Sequence, residues 1–263
     1  NGKSNRSEPV GNDYYDEEGL LRCGVCNRKK ETRLEGFYGG KGPIIVPCIC
    51  DCRKKEMEEE EKRRKHEEEM RRIESLRASS LIESKFKEAN LQNFQENEDN
   101  AKAYMLAKKY VDNFQDMFEK NQGILFWGVV GTGKSYTAAC IANELLNKRV
   151  AVVMTSFVKI LQDIQGGQVD EKQYIDKLNA ARLLIIDDLG TERNTDYALE
   201  KVYNVIDSRY RAGKPLILTT NMTLREMQET TDIRYKRIYD RIFEMCFPFR
   251  FAGKSWREKE AAR

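Results

Sequence analysis

The run Ile124-Leu125-Phe126-Trp127-Gly128-Val129-Val130-Gly131-Thr132-Gly133-Lys134-Ser135 joins four apolar residues to a glycine-rich turn ending in Lys-Ser. The apolar residues predict a buried strand, the glycines a loop, and Lys134 and Ser135 the first turn of a helix. Glycines let backbone N–H groups converge on a phosphate without Cβ clashes, and the helix N-terminus adds partial positive charge. In the pattern G-x-x-x-x-G-K-[ST], here Gly128 to Ser135, the lysine reaches the β- and γ-phosphates and the hydroxyl goes to Mg2+. Gly128, Val130, Gly131, Thr132, Gly133, Lys134, Ser135 and Tyr136 are the candidate cofactor contacts. Ala138, Ala139, Ile141, Ala142, Leu145 and Leu146 follow as an amphipathic helix and supply the context that the motif needs.

Downstream, Val150 to Met154 predicts a second buried strand, Phe157 to Ile164 a helix, and Asp163 to Gln168 a loop. Leu183-Leu184-Ile185-Ile186-Asp187-Asp188 predicts a strand that carries two acids to the phosphate site. Asp187 would hold Mg2+ and Asp188 would position or deprotonate the attacking water, with Glu192 a competitor for the second role. Pro215 to Asn221 predicts a fourth strand whose Thr-Thr-Asn tip sets an amide beside the γ-phosphate. Arg234, Arg237 and Arg241 recur on one helix that turns Ile238 and Ile242 inward. Phe247 to Phe251 predicts a last strand, and Lys254 to Arg257 a short terminal helix.

Upstream, Ala103, Leu106, Ala107, Tyr110, Val111, Phe114, Met117 and Phe118 mark an amphipathic helix, and Ser79-Ser80 with Glu83 predicts a capped helix start. Arg53 to Arg77 is almost wholly charged, with Glu four residues before Lys or Arg in pairs such as Glu61 and Lys65, which predicts a solvated spacer helix. Five of the seven cysteines lie between residues 23 and 52: Cys23 and Cys26, then Cys48, Cys50 and Cys52. Two cysteine clusters about twenty residues apart predict a structural zinc ribbon. Phe37, Tyr38, Ile44, Ile45 and Val46 offer a hairpin but too small a core to fold alone, so the metal would supply the folding free energy. Cys23 and Cys26 form one pair; the other pair comes from Cys48, Cys50 and Cys52, all of which can face one side of a strand. The expected organisation is a mobile tail over 1–22, a zinc-binding domain over 23–52, a linker over 53–80 and a nucleotide-binding domain over 81–263.

With 40% hydrophobic and 34% charged residues, part of these 263 residues must be solvated, and a net charge of +3 gives no strong pull toward nucleic acid. No apolar run approaches the roughly 18 residues that span a bilayer, and no signal peptide is visible, which predicts a cytoplasmic protein without a membrane partner.

Together, Gly128 to Ser135, the block Leu183 to Glu192, Thr219-Thr220-Asn221 and Arg237-Ile238-Tyr239-Asp240-Arg241-Ile242 resemble the AAA+ ATPases of the DnaC/DnaI helicase-loader type, which include the IstB transposition helpers. The resemblance spans about residues 81 to 263, and the cysteine region is similar to the zinc-bearing N-terminal domains of some loaders. It implies an α/β fold, an AAA+ P-loop NTPase with a parallel 5-1-4-3-2 sheet and helices on both faces. It also implies Mg2+-dependent ATP hydrolysis, with ATP held between copies of an ATP-dependent homo-oligomer. Asn221 would be sensor 1, Arg241 the arginine finger with Arg237 the second candidate, and Arg257 sensor 2. Thr195 and Tyr197 match the part of loaders that touches single-stranded DNA, where Tyr197 could stack on a base and Arg193 and Lys201 contact phosphate.

The implied role is loading a DnaB-type replicative hexameric helicase onto single-stranded DNA, the N-terminal domain gripping the helicase. The alternatives are an IstB-like transposition helper and a nucleotide-switch adaptor with little hydrolysis. A metabolic P-loop kinase is disfavoured by the Thr-Thr-Asn tip and the arginines after it. Two departures stand out. Asp188 occupies the place of the usual glutamate, which predicts slow hydrolysis, and about twenty residues after Arg241 leave no room for the usual helical lid.

Overall fold

The computed structural model describes residues 9–34, 43–95, 100–166, 170–191, 195–253 and 255. Glu192, Arg193, Arg257, Phe37 and Tyr38 lie outside the described residues. The chain divides into two units, Asn1–Arg71 and Arg72–Arg263.

In the first unit β1 (Tyr14–Tyr15) pairs antiparallel with β2 (Leu21–Arg22), and β3 (Glu31–Leu34) with β4 (Ile44–Pro47). The expected mobile tail over 1–22 is therefore corrected: from about residue 13 the chain is tied down. The Asp16 carboxylate accepts from the Leu20 N–H at 2.9 Å and from Arg22 Nε at 2.7 Å, and Leu20 and Leu21 are buried. Local carboxylate-to-backbone bonds do here what a longer apolar run does elsewhere. A 29-residue helix, α1 (Asp51–Ser79), follows with no buried residue. Pairs one turn apart lace its surface, such as Lys65 with Glu61 at 2.7 Å. Ser79 and Ser80 do not start a helix. Both hydroxyls donate back into α1, Ser80 Oγ to the Arg77 carbonyl at 2.7 Å, and only a 3-10 turn, Ser84–Phe86, comes next.

The second unit begins with α2 (Ala101–Asp112) and α3 (Phe114–Glu119), one amphipathic pattern broken at Asn113. It continues through β5 (Gly123–Gly128), α4 (Lys134–Asn147), β6 (Val152–Ser156), α5 (Phe157–Gln165), α6 (Glu171–Ala180) and β7 (Leu183–Leu189). α7 (Asp196–Arg211), β8 (Leu216–Thr220), α8 (Leu224–Gln228), α9 (Ile233–Met245) and β9 (Cys246–Phe251) complete it. The five strands form one parallel sheet of order β6-β7-β8-β5-β9. Numbered along the chain, that is the expected 5-1-4-3-2 order, the AAA+ P-loop fold.

Alternation along each strand feeds two cores. Ile124, Phe126, Ile185 and Ile217 pack with α2 and α4, while Leu125, Leu184, Ile186 and Leu218 pack with α5, α6, α7 and α9. Because both faces are covered, the strands read as near-continuous apolar runs. α6 was not expected from the sequence; the Asp170 side chain caps it by accepting from the Gln173 N–H at 3.1 Å. Arg209 is fully buried, its pKa lowered to about 9 by burial, and its guanidinium donates to the carbonyls of Ala181, Arg182 and Pro215. Those bonds pin the segments that enter β7 and β8.

Candidate nucleotide site and cysteine cluster

The loop after β5, the C-terminal end of β7, Asn221 just after β8 and the N-terminus of α4 line a cleft of about 520 Å³. It lies where strand ends of an open α/β sheet leave a crevice. Gly133 opens α4 with φ +98°, a conformation that side chains resist, and a Cβ on Gly131 (φ +77°) would stand 2.2 Å from Ser255 Oγ. The loop is thus shaped for backbone N–H groups to face inward, and Val130 through Thr137 line the cleft.

Lys134 is buried, and its ammonium donates to the Gly128 and Val129 carbonyls at 2.8 Å each and to Asn221 Oδ1 at 2.9 Å. Burial pushes its pKa down, opposed by the charges of Asp188 and then Asp187. The structure thus joins the expected phosphate lysine to the expected sensor amide across 87 residues of sequence.

Thr219 organises the acidic side. Its hydroxyl donates to Asp187 Oδ1 at 2.5 Å and accepts the Asp188 N–H at 2.9 Å. Asp187 and Ser135, the expected Mg2+ ligands, line the same cleft. A hydroxyl beside a carboxylate on a buried strand end is a donor set that suits a hard, oxygen-seeking ion. Asp188 has φ +55°, and the register of β7 on β8 shifts between Ile186 and Leu189. A bulge at the rim of a sheet re-aims a side chain, and here it turns the second acid into the cleft.

Sequence reasoning missed the other wall. Phe86, Asn93, Phe94, Gln95 and Asn100 line it, and the Phe94 ring stands 5.9 Å from Tyr136 and 5.4 Å from Tyr104. Two aromatic rings with amides beside them suit a flat heterocycle. The signal was present only as Phe and Asn without a fixed spacing, which no motif captures.

The arginines divide. Arg234 pairs with Asp196 at 2.5 Å and Asp232 at 2.7 Å, Arg237 is exposed, and Arg241 is folded against its own chain on Asp207 at 2.6 Å. Tyr197 is 38% exposed, and the Thr195 hydroxyl caps α7 by accepting from the Ala198 N–H at 3.2 Å. Lys201 is corrected as a phosphate contact. It is buried, with Nζ on Glu171 at 2.8 Å and Glu200 at 2.9 Å and 4.9 Å from the centre of the Tyr197 ring.

In the first unit the sulfurs of Cys23, Cys26, Cys50 and Cys52 all lie within 4.8 Å of one another. Cys52 Sγ is 3.3 Å from Cys23, 3.2 Å from Cys50 and 3.5 Å from Cys26. Zinc bonded at about 2.3 Å to four thiolates sets neighbouring sulfurs about 3.8 Å apart, a spacing bracketed by the 3.2–3.5 Å contacts of Cys52 and the 4.8 Å bound on the whole set. Backbone N–H groups of Arg28 and Cys52 bring the Cys26 thiol down to about 6, and those of Cys26 and Val25 lower Cys23. Hydrogen bonds that the Cys52 thiol donates to Cys50, Cys23 and Cys26 keep its proton on and push its pKa up, and a dication at the centre reverses that preference. Cys48 is excluded from the four, because its Sγ turns away and donates to the Lys29 carbonyl at 3.1 Å.

The sequence model of the IstB-like ATP binding protein family matches residues 53–263. The chain belongs to that family. Among relatives of this IstB-like chain, the uncharacterized protein YqaM of Bacillus subtilis (strain 168) is 26% identical over 247 residues, 90% of this chain and 70% of YqaM. The replicative helicase loader DnaC of Escherichia coli (strain K12) is 28% identical over 140 residues, 52% of this chain and 55% of DnaC. The IstB-like chain thus spans about half the length of that loader. Among solved structures, that of DnaI superposes with a TM-score of 0.57 at 22% identity, covering 68% of this chain and 98% of DnaI, a likeness of fold.

Proposed function

We propose that this IstB-like ATP-binding protein is an Mg2+-dependent ATPase that loads a replicative hexameric helicase of the DnaB type onto single-stranded DNA. The observation that carries the reading is the junction of Lys134 with Asn221 beside the Thr219–Asp187 pair, which gives one cleft a phosphate cation, a water-orienting amide and a metal carboxylate. Bound Mg2+ would be held by Ser135 and Asp187 and would neutralise developing charge on the phosphates. The backbone of Gly128 to Gly133 cradles the triphosphate, and Lys134 exchanges carbonyl partners for phosphate oxygens. Asn221 and Asp188 orient the attacking water, and the ring pair Phe94 and Tyr136 seats the base. Arg241 stabilises the transferring charge on a neighbouring copy within an ATP-dependent oligomer, with Arg237 the second candidate; Arg257 would be sensor 2. Thr195 and Tyr197 touch single strand, and the four-cysteine unit, carrying structural zinc, grips the helicase.

A second reading, an IstB-like transposition helper, is favoured by the family match over residues 53–263. The unit ahead of the ATPase favours the loader, because a separate metal-held module suits a partner grip. The test is co-purification with a DnaB-type helicase. Capture that depends on the first 52 residues and on ATP supports the loader, and capture of a transposase in its place overturns it.

A further inference from the structure

A line of polar pairs joins α7 to α9. Arg234 meets Asp196 at 2.5 Å near the helix starts, Arg241 meets Asp207 at 2.6 Å, and the Tyr210 hydroxyl donates to Glu244 at 2.8 Å near the ends. The middle pair is the shielded one. The Arg241 and Asp207 side chains are 22% and 14% exposed, and the guanidinium lies 4.7 Å from the centre of the Tyr203 ring and 5.7 Å from that of Tyr210.

Shielded as it is, the pair is poorly satisfied. Arg241 Nη1 is buried without a hydrogen-bond partner among the described residues, and Asp207 Oδ1 accepts no aligned hydrogen bond although Nη2 stands 2.6 Å away. The other Asp207 oxygen, Oδ2, pairs with Arg211 Nε at 2.9 Å, so the two arginines share one carboxylate. A guanidinium has five N–H donors and is best met by an anion that answers several at once. One shared carboxylate does not do this, whereas a terminal phosphate has three oxygens and more charge.

We infer that Asp207 is a latch on Arg241: it holds the guanidinium against α7 in the lone chain, and assembly draws the arginine off Asp207 onto a neighbour's terminal phosphate. This rests on the reading of Arg241 as the arginine that acts in trans. The latch makes the completed site a competition between two anions for one cation. The arginine reaches the phosphate when a bound triphosphate is close, and it otherwise stays folded away. Asp207 is then a positioning residue, acting through Arg241.

The experiment is ATP turnover by the full chain across a range of protein concentrations, with single-stranded DNA present. Asp207→Asn keeps the shape of the side chain and removes its charge, so the concentration for half-maximal turnover should fall by about fivefold, a modest coupling between two states. A folded Asp207→Asn protein with an unchanged or higher threshold overturns the latch. Should that variant fail to fold, Arg211→Ala decides, since Arg211 is 73% exposed and its removal leaves all of Asp207 to Arg241. The threshold should then rise about twofold, again a small coupling, and no rise overturns the latch. Arg241→Ala tests the parent reading separately. If assembled turnover survives without this side chain, the trans role fails; if turnover is lost while Asp207→Asn leaves the threshold alone, only the latch fails.

Discussion

Behind the nucleotide cleft stand Leu125, Phe126, Ile185, Ile186 and Leu218, each with no surface left exposed. Behind the cysteine cluster, the described residues bury only Leu20, Leu21, Cys23 and Cys50 among apolar side chains. The first site is shaped by a core that exists whether or not nucleotide is present. The second has too little apolar surface to offset the chain entropy of its own loops, so its ligand atoms must also be its scaffold. Removing a ligand should therefore unmake one region and leave the other standing.

The sharpest break in that contrast is metal withdrawal. Structural zinc contributes on the order of 10 kcal/mol or more to such folds. Native mass spectrometry should find one zinc per chain, and Cys23→Ser or a strong chelator should release it. Amide dispersion in residues 9–50 should then collapse, while the second unit's melting and nucleotide affinity stay as they were. Dispersion that survives the chelator would show that the thiols fold this unit unaided, and the contrast would be lost. Cys48→Ser should keep the zinc, because its thiol serves the Lys29 carbonyl.

The converse perturbation is Leu125→Ala in the shared wall of the sheet. A fully buried leucine truncated to alanine costs about 2–5 kcal/mol. The midpoint of the second unit in denaturant should shift accordingly, and zinc content should not. A drop in zinc content would mean the two units fold as one body.

Lys134→Ala comes next, and it separates shape from ligand inside the cleft. Its ammonium is tied to two carbonyls and Asn221, so its loss should lower ATP affinity by about a hundredfold, some 2.7 kcal/mol, with little change in melting. Titration calorimetry and a melting curve on the same sample decide it. Equal losses in both would make Lys134 a structural residue first.

What the sequence made legible follows from the same contrast. Strands buried on both faces read as unbroken apolar runs, so β5, β7 and β8 and the loop after β5 could be placed to within a residue or two. The wall of Phe86, Asn93, Phe94 and Gln95 was not legible, because it comes from a connection whose geometry depends on where α1 ends, and its serines were read as a beginning. The ordering of residues 13–22 was hidden because Asp16 acts through hydrogen bonds and not through apolar pattern. Alternation left Cys48 as eligible as Cys50. Only the hairpin of β3 with β4, which brings Cys48 to the Lys30 carbonyl at 2.8 Å, decides between them. Arg241 stood out in the sequence as one of three arginines on a single helix, but its partner Asp207 lies 34 residues away on another helix.

The smallest effect tests the finest part of the contrast, whether the core merely supports the cleft or also aims its polar groups. Thr219 is fully buried on β8, and its single hydroxyl serves both acids, donating to Asp187 and accepting from the Asp188 backbone. Thr219→Val keeps the branched shape and removes both bonds. If the strand only supports the site, turnover should be unaffected and stability should fall by the roughly 1–3 kcal/mol of an unsatisfied buried N–H. If it aims the acids, turnover at saturating ATP should fall about tenfold, or some 1.4 kcal/mol of barrier. The Mg2+ concentration for half-maximal rate should rise with it if Asp187 and Ser135 hold the ion as proposed, because Asp187 loses the donor that fixes its rotamer while Ser135 is untouched. The shift in Mg2+ dependence distinguishes the two, since packing alone has no reason to change it.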